Sequence, residues 1–407
     1  MIKLFYGDTR YKVKFKGNFS NSFLVKQGLK QGCPAACLFF NIFFAIVIHV
    51  IRFKLEHKGI ELRFRMDGNI FDMKRLKANS KINKYTILEM LFADDAAVCA
   101  HSEEELQEIM TVFYLTFKEF GLELAIKKTE VMLQKAFPDE ARPEPSIVLD
   151  GTVLKTVKQF KYLGAQLSDD AGTKSELNYR IKQSAAAFSK LYQRIWKKRH
   201  IKLKTKIKTY KAIVIPCMTY ASETWNCGKA DFRKLDGLQY RQLRTIAGKT
   251  YKDKISHVQL LQSVKFGPNE NFTWSIPEDE TKNPNLTCIQ TMVRLSRLCY
   301  FGHALKMENS RLPKIALHGE INQGSRPIGR PKRNYRSCII EDLKQFDLWD
   351  TCNQSSLNDI ISDRKKWRNL IVKGSLAHQS QWENHREKLS EKRKLKSENS
   401  HALLVHI

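Results

Sequence analysis

Two adjacent aspartates with an apolar run on each side are the feature that most restricts what this chain can fold into. The stretch reads Glu89-Met90-Leu91-Phe92-Ala93-Asp94-Asp95-Ala96-Ala97-Val98. Its flanks suit strands, which puts the pair at the turn of a hairpin. Neighbouring carboxylates do not both ionise cheaply unless a cation stands near. Hard divalent cations such as Mg²⁺ take one or two protein carboxylates and complete their shell with substrate phosphates and water. Two such metals clamp the attacking and leaving oxygens of a phosphoryl transfer. Alone, the pair reads first as a solvated turn, where Asp is common. Its company changes that reading.

Residues 1–36 alternate short apolar and polar groups, as a β-hairpin followed by a Gly-punctuated loop would. "CLFFNIFFAIVIHVI" (37–51) is the only long apolar run. It is shorter than the ~20 residues that span a bilayer and contains Asn41 and His49, so it predicts a buried helix over 37–56 and no membrane partner. Residues 63–84 are basic and turn-rich. Ser102-Glu103-Glu104-Glu105 is a capping box opening a helix that runs to about Gly121. Residues 122–134 alternate like a strand, 137–146 form a Pro-rich surface connection, and Asp150-Gly151 marks a hairpin turn. "QFKYLGAQLS" (159–168) is again strand-like. Basic helical segments follow at about 174–197, 203–226 and 229–247, then a loop-like stretch at 265–285 and further helices near 287–308, 336–347 and 357–373. "GSRPIGRPKRNY" (324–335) is extended because its prolines forbid a helix, and residues 386–398 suit a frayed helix or tail.

Charge divides the chain. Residues 1–150 hold 22 Lys/Arg against 19 Asp/Glu, whereas residues 151–407 hold 48 against 23. An asymmetric basic half points to a polyanion, and nucleic acid fits better than a membrane surface because the excess runs through several helices. The candidate phosphate contacts are Lys197, Lys198, Arg199 and the alternating stretch through Leu203 and Thr205, whose lysines are Lys202, Lys204 and Lys206. Trp196 and Tyr210 interleave with them as possible stacking partners. The other reading is a solvated helix face. Arg330, Lys332 and Arg333 in "GRPKR" read either as a minor-groove hook or as a nuclear-import patch. Nine irregularly spaced cysteines, with no C-x-x-C pair, exclude a zinc finger and argue for reduced thiols. With no signal-peptide pattern at the N-terminus, the expected compartment is nuclear or cytoplasmic.

Taken together, the segments resemble the reverse transcriptase of non-long-terminal-repeat retrotransposons. "GLKQGCPAACLFFNIFFAIV" (28–47) is similar to that family's template- and nucleotide-contacting loop and helix. The stretch around Asp94, allowing Met90 for a leucine, resembles its F/Y-A-D-D hairpin. "GLELAIKKTEVM" (121–132) resembles its G-L-x-I-x-x-x-K-T segment, and "FKYLGAQLS" (160–168) its primer-grip hairpin. "YASETW", "LRTIAG", "YFGHALKM", "GRPKRNY" and "DRKKW" resemble the region beyond the thumb. The resemblance implies an α+β fold: a partial polymerase palm, an antiparallel sheet with packed helices, over 1–170; a mainly α-helical thumb-like region over 171–262; a linker over 263–286; and a basic helical C-terminal region over 287–407.

It also implies roles. Asp94 would be the metal-binding carboxylate and Asp95 its less essential neighbour, with Mg²⁺ or Mn²⁺ as cofactor. Gly28, Lys30, Gln31 and Gly32 would face the incoming deoxynucleotide and the template. Lys128 would neutralise the leaving pyrophosphate, or is a solvated lysine at a strand end. The partner would be an RNA or DNA primer–template. The family's first catalytic aspartate lies in a D-x-x-x-A-F-D strand, a sequence this chain does not contain, and Asp8 is the only acid before residue 56. On this resemblance, neither fingers nor endonuclease is expected within these residues. Three expectations remain open: an inactive reverse transcriptase fragment, a polymerase completed from elsewhere, or a nucleic-acid-binding protein that keeps only the function of its basic half.

Overall fold

The computed structural model describes residues 7–404 apart from 8, 26–27, 31, 57, 79, 135–142, 267–285, 324–332 and 354–356. The chain forms two compact units. One comprises residues 1–60, 86–131 and 145–155, and the other residues 61–85, 132–144 and 156–407.

In the first unit the apolar helix runs Pro34–Lys54, with proline in its first turn, where its missing N–H costs nothing. Phe44, Val47, Ile48 and Ile51 on this helix pack against Ile109, Phe113 and Phe117 of the helix Glu103–Glu119 and against Leu88. Each such side chain contributes about 1.5–3 kcal/mol on burial. Lys54 Nζ donates to Thr116 Oγ1 at 3.1 Å and Glu119 Oε2 at 2.9 Å, tying the helix ends together. The expectation of a buried helix is corrected in one respect. Leu38, Ile42, Ile46 and Phe53 are exposed on its other side. A helix apolar all round carries more apolar surface than one helix and a hairpin can cover. At 21 residues it is also long and apolar enough, by length and composition, to cross a membrane.

Ser102 caps the second helix as expected, accepting from Glu105 N–H at 3.2 Å, while Glu105 reaches back to His101 N–H at 2.8 Å. The opposite side of that helix supports a smaller core of Met110, Val131, Ile147, Leu149 and Leu154. Asp150 and Gly151, with φ of 50° and 71°, turn the hairpin Val148–Val153, as the Asp-Gly signal requires. Gln107 clamps it through both Val148 backbone groups, at 2.7 and 2.8 Å. Residues 122–134 are not a continuous strand: a 3₁₀ turn spans Ile126–Lys128, and only Glu130–Val131 is extended. Their alternation is real, because Leu122 and Leu124 face the first core and Leu124 and Ile126 the second. A turn satisfies it.

In the second unit, Gly319, Glu320 and Ile321 pair antiparallel with Phe64, Arg63 and Leu62. Strands Ile60–Phe64 and Asn83–Ile87 bound the stretch expected to be turn-rich, and between them the described residues form turns and a 3₁₀ segment Met73–Lys77, as expected. The helices surround three cores, centred on Tyr210 and Leu243, on Met218 and Phe232, and on Phe301 and Trp367. The expected helix 203–226 is broken into Leu203–Thr209, a π-helical turn Tyr210–Val214 and Ile215–Thr219. Pro216 has no N–H to continue the ladder, and a wider turn relieves it. The charge-dense stretch 386–398 is helical, one of the two expected forms: one helix runs Arg364–Leu404 and buries Trp367, Ile371 and Trp382 before that stretch.

Buried charge locks this unit. Asp342 accepts from Arg297 Nε and Nη2, both at 2.7 Å, and from Arg294 Nη1 at 2.5 Å. Arg297 also donates to the Trp225 carbonyl at 2.7 Å. Gly302 lies so close to Trp367 that an added Cβ would clash with its indole nitrogen. "YASETW", "YFGHALKM" and "DRKKW" are thus packing motifs, joined through Trp225, Arg297, Gly302 and Trp367.

Candidate functional site

Glu89–Phe92 and Asp95–Val98 pair antiparallel, with Phe92 opposite Asp95. Ala93 (φ 53°) and Asp94 form the two-residue turn, so Asp94 is at the tip and Asp95 begins the return strand. Both carboxylates are exposed. Beneath them an open cleft of about 430 Å³ separates the hairpin from the apolar helix, lined by Asn41, Phe44, Ile48, His49, Leu91 and Ala93. The acid that sequence reasoning passed over is Glu89. It is buried and accepts from Arg52 Nε at 2.7 Å, so it anchors the hairpin rather than facing solvent. Burial, reinforced by the Glu89 charge, pushes the Cys99 thiol up. The signal for Glu89 was an acid inside an apolar strand with an arginine available on the preceding helix.

The loop before the apolar helix needs glycine at two points: Gly28 and Gly32 have φ of 87° and 85°, with open space where a Cβ would stand. Conformation, not crowding, selects them. Lys30 is half-buried, and its carbonyl accepts from Cys33 N–H at 3.1 Å. Gln31 lies outside the described residues. Lys128 is exposed at the end of its 3₁₀ turn, and among the described residues no ion pair joins it to Asp94 or Asp95.

A divalent metal needs more donors than this. Among the described residues no group of three or more His, Cys, Asp or Glu side chains converges as a metal site. Asp94 in the turn and Asp95 at the start of the return strand are the only carboxylates of the hairpin tip, and both are exposed. The described donors do not fit a two-metal centre.

In the basic unit, Lys197, Lys198, Arg199, Lys202, Lys204 and Lys208 are exposed, with Leu203 half-buried and Thr205 exposed between them. Three expectations here are corrected. Lys206 is buried, donating to the Trp196 carbonyl at 2.8 Å. Trp196 stacks on Phe188 with ring centroids 5.1 Å apart, and its Nε1–H donates to the Phe188 carbonyl. Tyr210 is wholly buried against Gln242, at 2.8 Å. None of the three is free to meet a ligand. The signal was present: Leu203, Lys206, Ile207, Tyr210 and Val214 follow one helical face. Arg333 pairs with Glu341, while Arg330 and Lys332 lie outside the described residues.

The hairpin 159–168 turns at Leu163 and Gly164 (φ 48° and 84°). Tyr220 donates its hydroxyl to the Leu163 carbonyl at 2.6 Å, and Arg180, held by Glu176 at 2.6 Å, donates to the Gly164 carbonyl.

Residues 1–167 match the family described as Reverse transcriptase (RNA-dependent DNA polymerase). A transposon-derived protein of Caenorhabditis elegans is 27% identical over 299 residues, covering 72% of this chain and 97% of that one. The RNA-directed DNA polymerases from mobile element jockey are 23% identical over 184 residues in Drosophila funebris and 24% over 188 in Drosophila melanogaster. Each of these alignments covers 44% of this chain but 20% of the polymerase, so the chain spans about a fifth of their length. Residues 1–167 are thus similar to a reverse transcriptase domain, and the described structure is α+β. Its relatives carry names of transposon-derived and mobile-element proteins, in line with the family that the sequence motifs resemble.

Proposed function

We propose that this chain, acting alone, binds nucleic acid through its basic unit and does not extend a primer. The observation that carries the reading is the row of exposed cations from Lys197 to Lys208, mounted on a buried Trp196–Lys206–Tyr210 base. Each phosphate it neutralises releases counterions and steepens the salt dependence by about 0.9 in log K per log salt on duplex. In this reading residues 171–262 hold the backbone of a primer–template. Asp94, Asp95 and Lys128 mark the polymerase site, and Gly28, Lys30, Gln31 and Gly32 its nucleotide-facing loop. The family uses a divalent metal, Mg²⁺ or Mn²⁺ in this proposal. The described donors fall short of that metal's needs.

The test is primer extension by the purified 407-residue chain on RNA and DNA templates, with Mg²⁺ or Mn²⁺. The expected result is retained binding and no product. A product that disappears in Asp94→Ala would overturn the reading, because an acid beyond those described would then complete the site.

A further inference from the structure

The first unit carries a surface that the basic-unit reading does not use. Residues 9–25 form one long hairpin ribbon. Arg10–Tyr11 pairs with Phe23–Leu24, Lys14–Phe15 with Asn18–Phe19, and Val13 exchanges hydrogen bonds with Ser20 at 2.9 and 3.0 Å. Lys16 and Gly17, with φ of 46° and 89°, make its turn. Every side chain from Arg10 to Leu24 is exposed, Phe15 at 70% and Phe19 at 64%. Strand alternation puts Tyr11, Val13 and Phe15 on one face and Arg10, Lys12 and Lys14 on the other, with Lys16 in the turn. Phe23, opposite Tyr11, joins the aromatic face, and Phe19, opposite Lys14, joins the cationic one. Lys14 Nζ lies 5.4 Å from the Phe19 ring and Lys16 Nζ 5.5 Å from that of Phe15.

We propose that this ribbon is a single-stranded nucleic-acid arm: its cations follow the phosphates while Tyr11, Phe15, Phe19 and Phe23 stack on bases. Charge selects the partner, because residues 10–16 contain four cations and residues 9–25 no Asp or Glu, although residues 1–150 as a whole are nearly balanced. Lysines alone are the ordinary protection of an exposed strand edge. Exposed aromatics interleaved with them are not, since they would invite self-association unless something flat and anionic covers them. An unpaired strand supplies both, whereas a duplex hides its base faces. The ribbon works independently of the basic helices, so either surface can fail without the other.

The experiment uses the full chain and a 4-thiouridine-substituted single-stranded RNA of about 15 nucleotides. Cross-linked peptides are mapped by mass spectrometry, and affinity is measured against salt. Cross-links within residues 10–24 are expected. Phe15→Ser with Phe19→Ser should remove them and weaken single-strand binding about ten-fold or more without changing the salt slope. Lys12→Ser with Lys14→Ser and Lys16→Ser should lower the slope by about 2. These exposed positions leave the fold intact. Lys197→Ser with Lys198→Ser and Arg199→Ser should leave the ribbon cross-links in place, which separates failure of this surface from failure of the basic one. Cross-links confined to residues 174–407, binding only to duplex, or aromatic variants that alter sedimentation of the free chain but not RNA affinity would each overturn the proposal. The last of these would make the face a contact between copies.

Discussion

In the unit that bears Asp94, apolar side chains such as Leu38, Ile42 and Phe53 stand in solvent, and its acid–base pairs lie mostly at the rim. In the basic unit the apolar side chains fill three cores, and Arg294, Arg297 and Asp342 are buried with them. The contrast teaches that net charge is a poor guide to which cations meet a partner. The basic unit's excess splits into structural cations, which include Lys206 and the two arginines on Asp342, and exposed ones, which include Lys197 to Lys204. Only the second group can follow a phosphate backbone.

Acid should break the basic unit. His318 and His378 are held down to about 4, and His257 to about 3, chiefly by burial, with Arg75, Arg294 and Arg386 respectively adding repulsion. Their folded values lie below the ordinary 6.5, so the stability they confer is complete above that value and is lost progressively as pH falls from about 6.5 to the folded values of about 4 and 3. Asp236, pushed up to about 6 by burial, acts oppositely, losing stability as pH rises from about 4 to 6. Three histidines outweigh one aspartate. Each tenfold loss of proton affinity on folding is worth about 1.4 kcal/mol, so between pH 7 and pH 4 the unit should lose on the order of 5 kcal/mol. All six tryptophans lie at or beyond residue 196, so tryptophan fluorescence in urea reports this unit alone. An unfolding midpoint unchanged on acidification would refute the assignment.

Asp342→Ala tests the buried charge itself. It strands two arginines, and breaking such a network costs about 3–5 kcal/mol. Restoring neutrality with Arg294→Met and Arg297→Met should recover much of it, an outcome that a cavity at Asp342 alone would not produce.

How much of this was legible in the sequence differs by kind of interaction. Turns carry their own chemistry: Asp150-Gly151 and the Ser102 cap read directly because their partners lie within a few residues. The Asp94 hairpin read just as directly, from apolar flanks and paired acids. The pairing of Arg63 with Glu320, 257 residues away, leaves no local trace, and the strand around Arg63 read as turn-rich for that reason. The apolar helix misled for another cause. Periodicity cannot say which half of a uniformly apolar helix finds a neighbour. The site residues rest on resemblance alone, and whether a lysine in a basic run is bound or free was a question of helical face, with Lys206 on the inner one.

Lys206→Ala is a smaller test of that distinction. It removes the donor to the buried Trp196 carbonyl, which should cost about 1–3 kcal/mol in urea while leaving nucleic-acid binding of the folded chain unchanged. Weaker binding at equal stability would place Lys206 on the contact surface instead.

The most direct test of the account is the salt dependence of duplex binding by the full chain, compared with Lys197→Ser/Lys198→Ser/Arg199→Ser. These exposed changes should alter stability by no more than about 0.5 kcal/mol. With three phosphate contacts gone, the slope of log K against log salt should fall by about 2 to 3. An unchanged slope in a chain that still binds would show that the exposed cations of the basic unit do not hold nucleic acid.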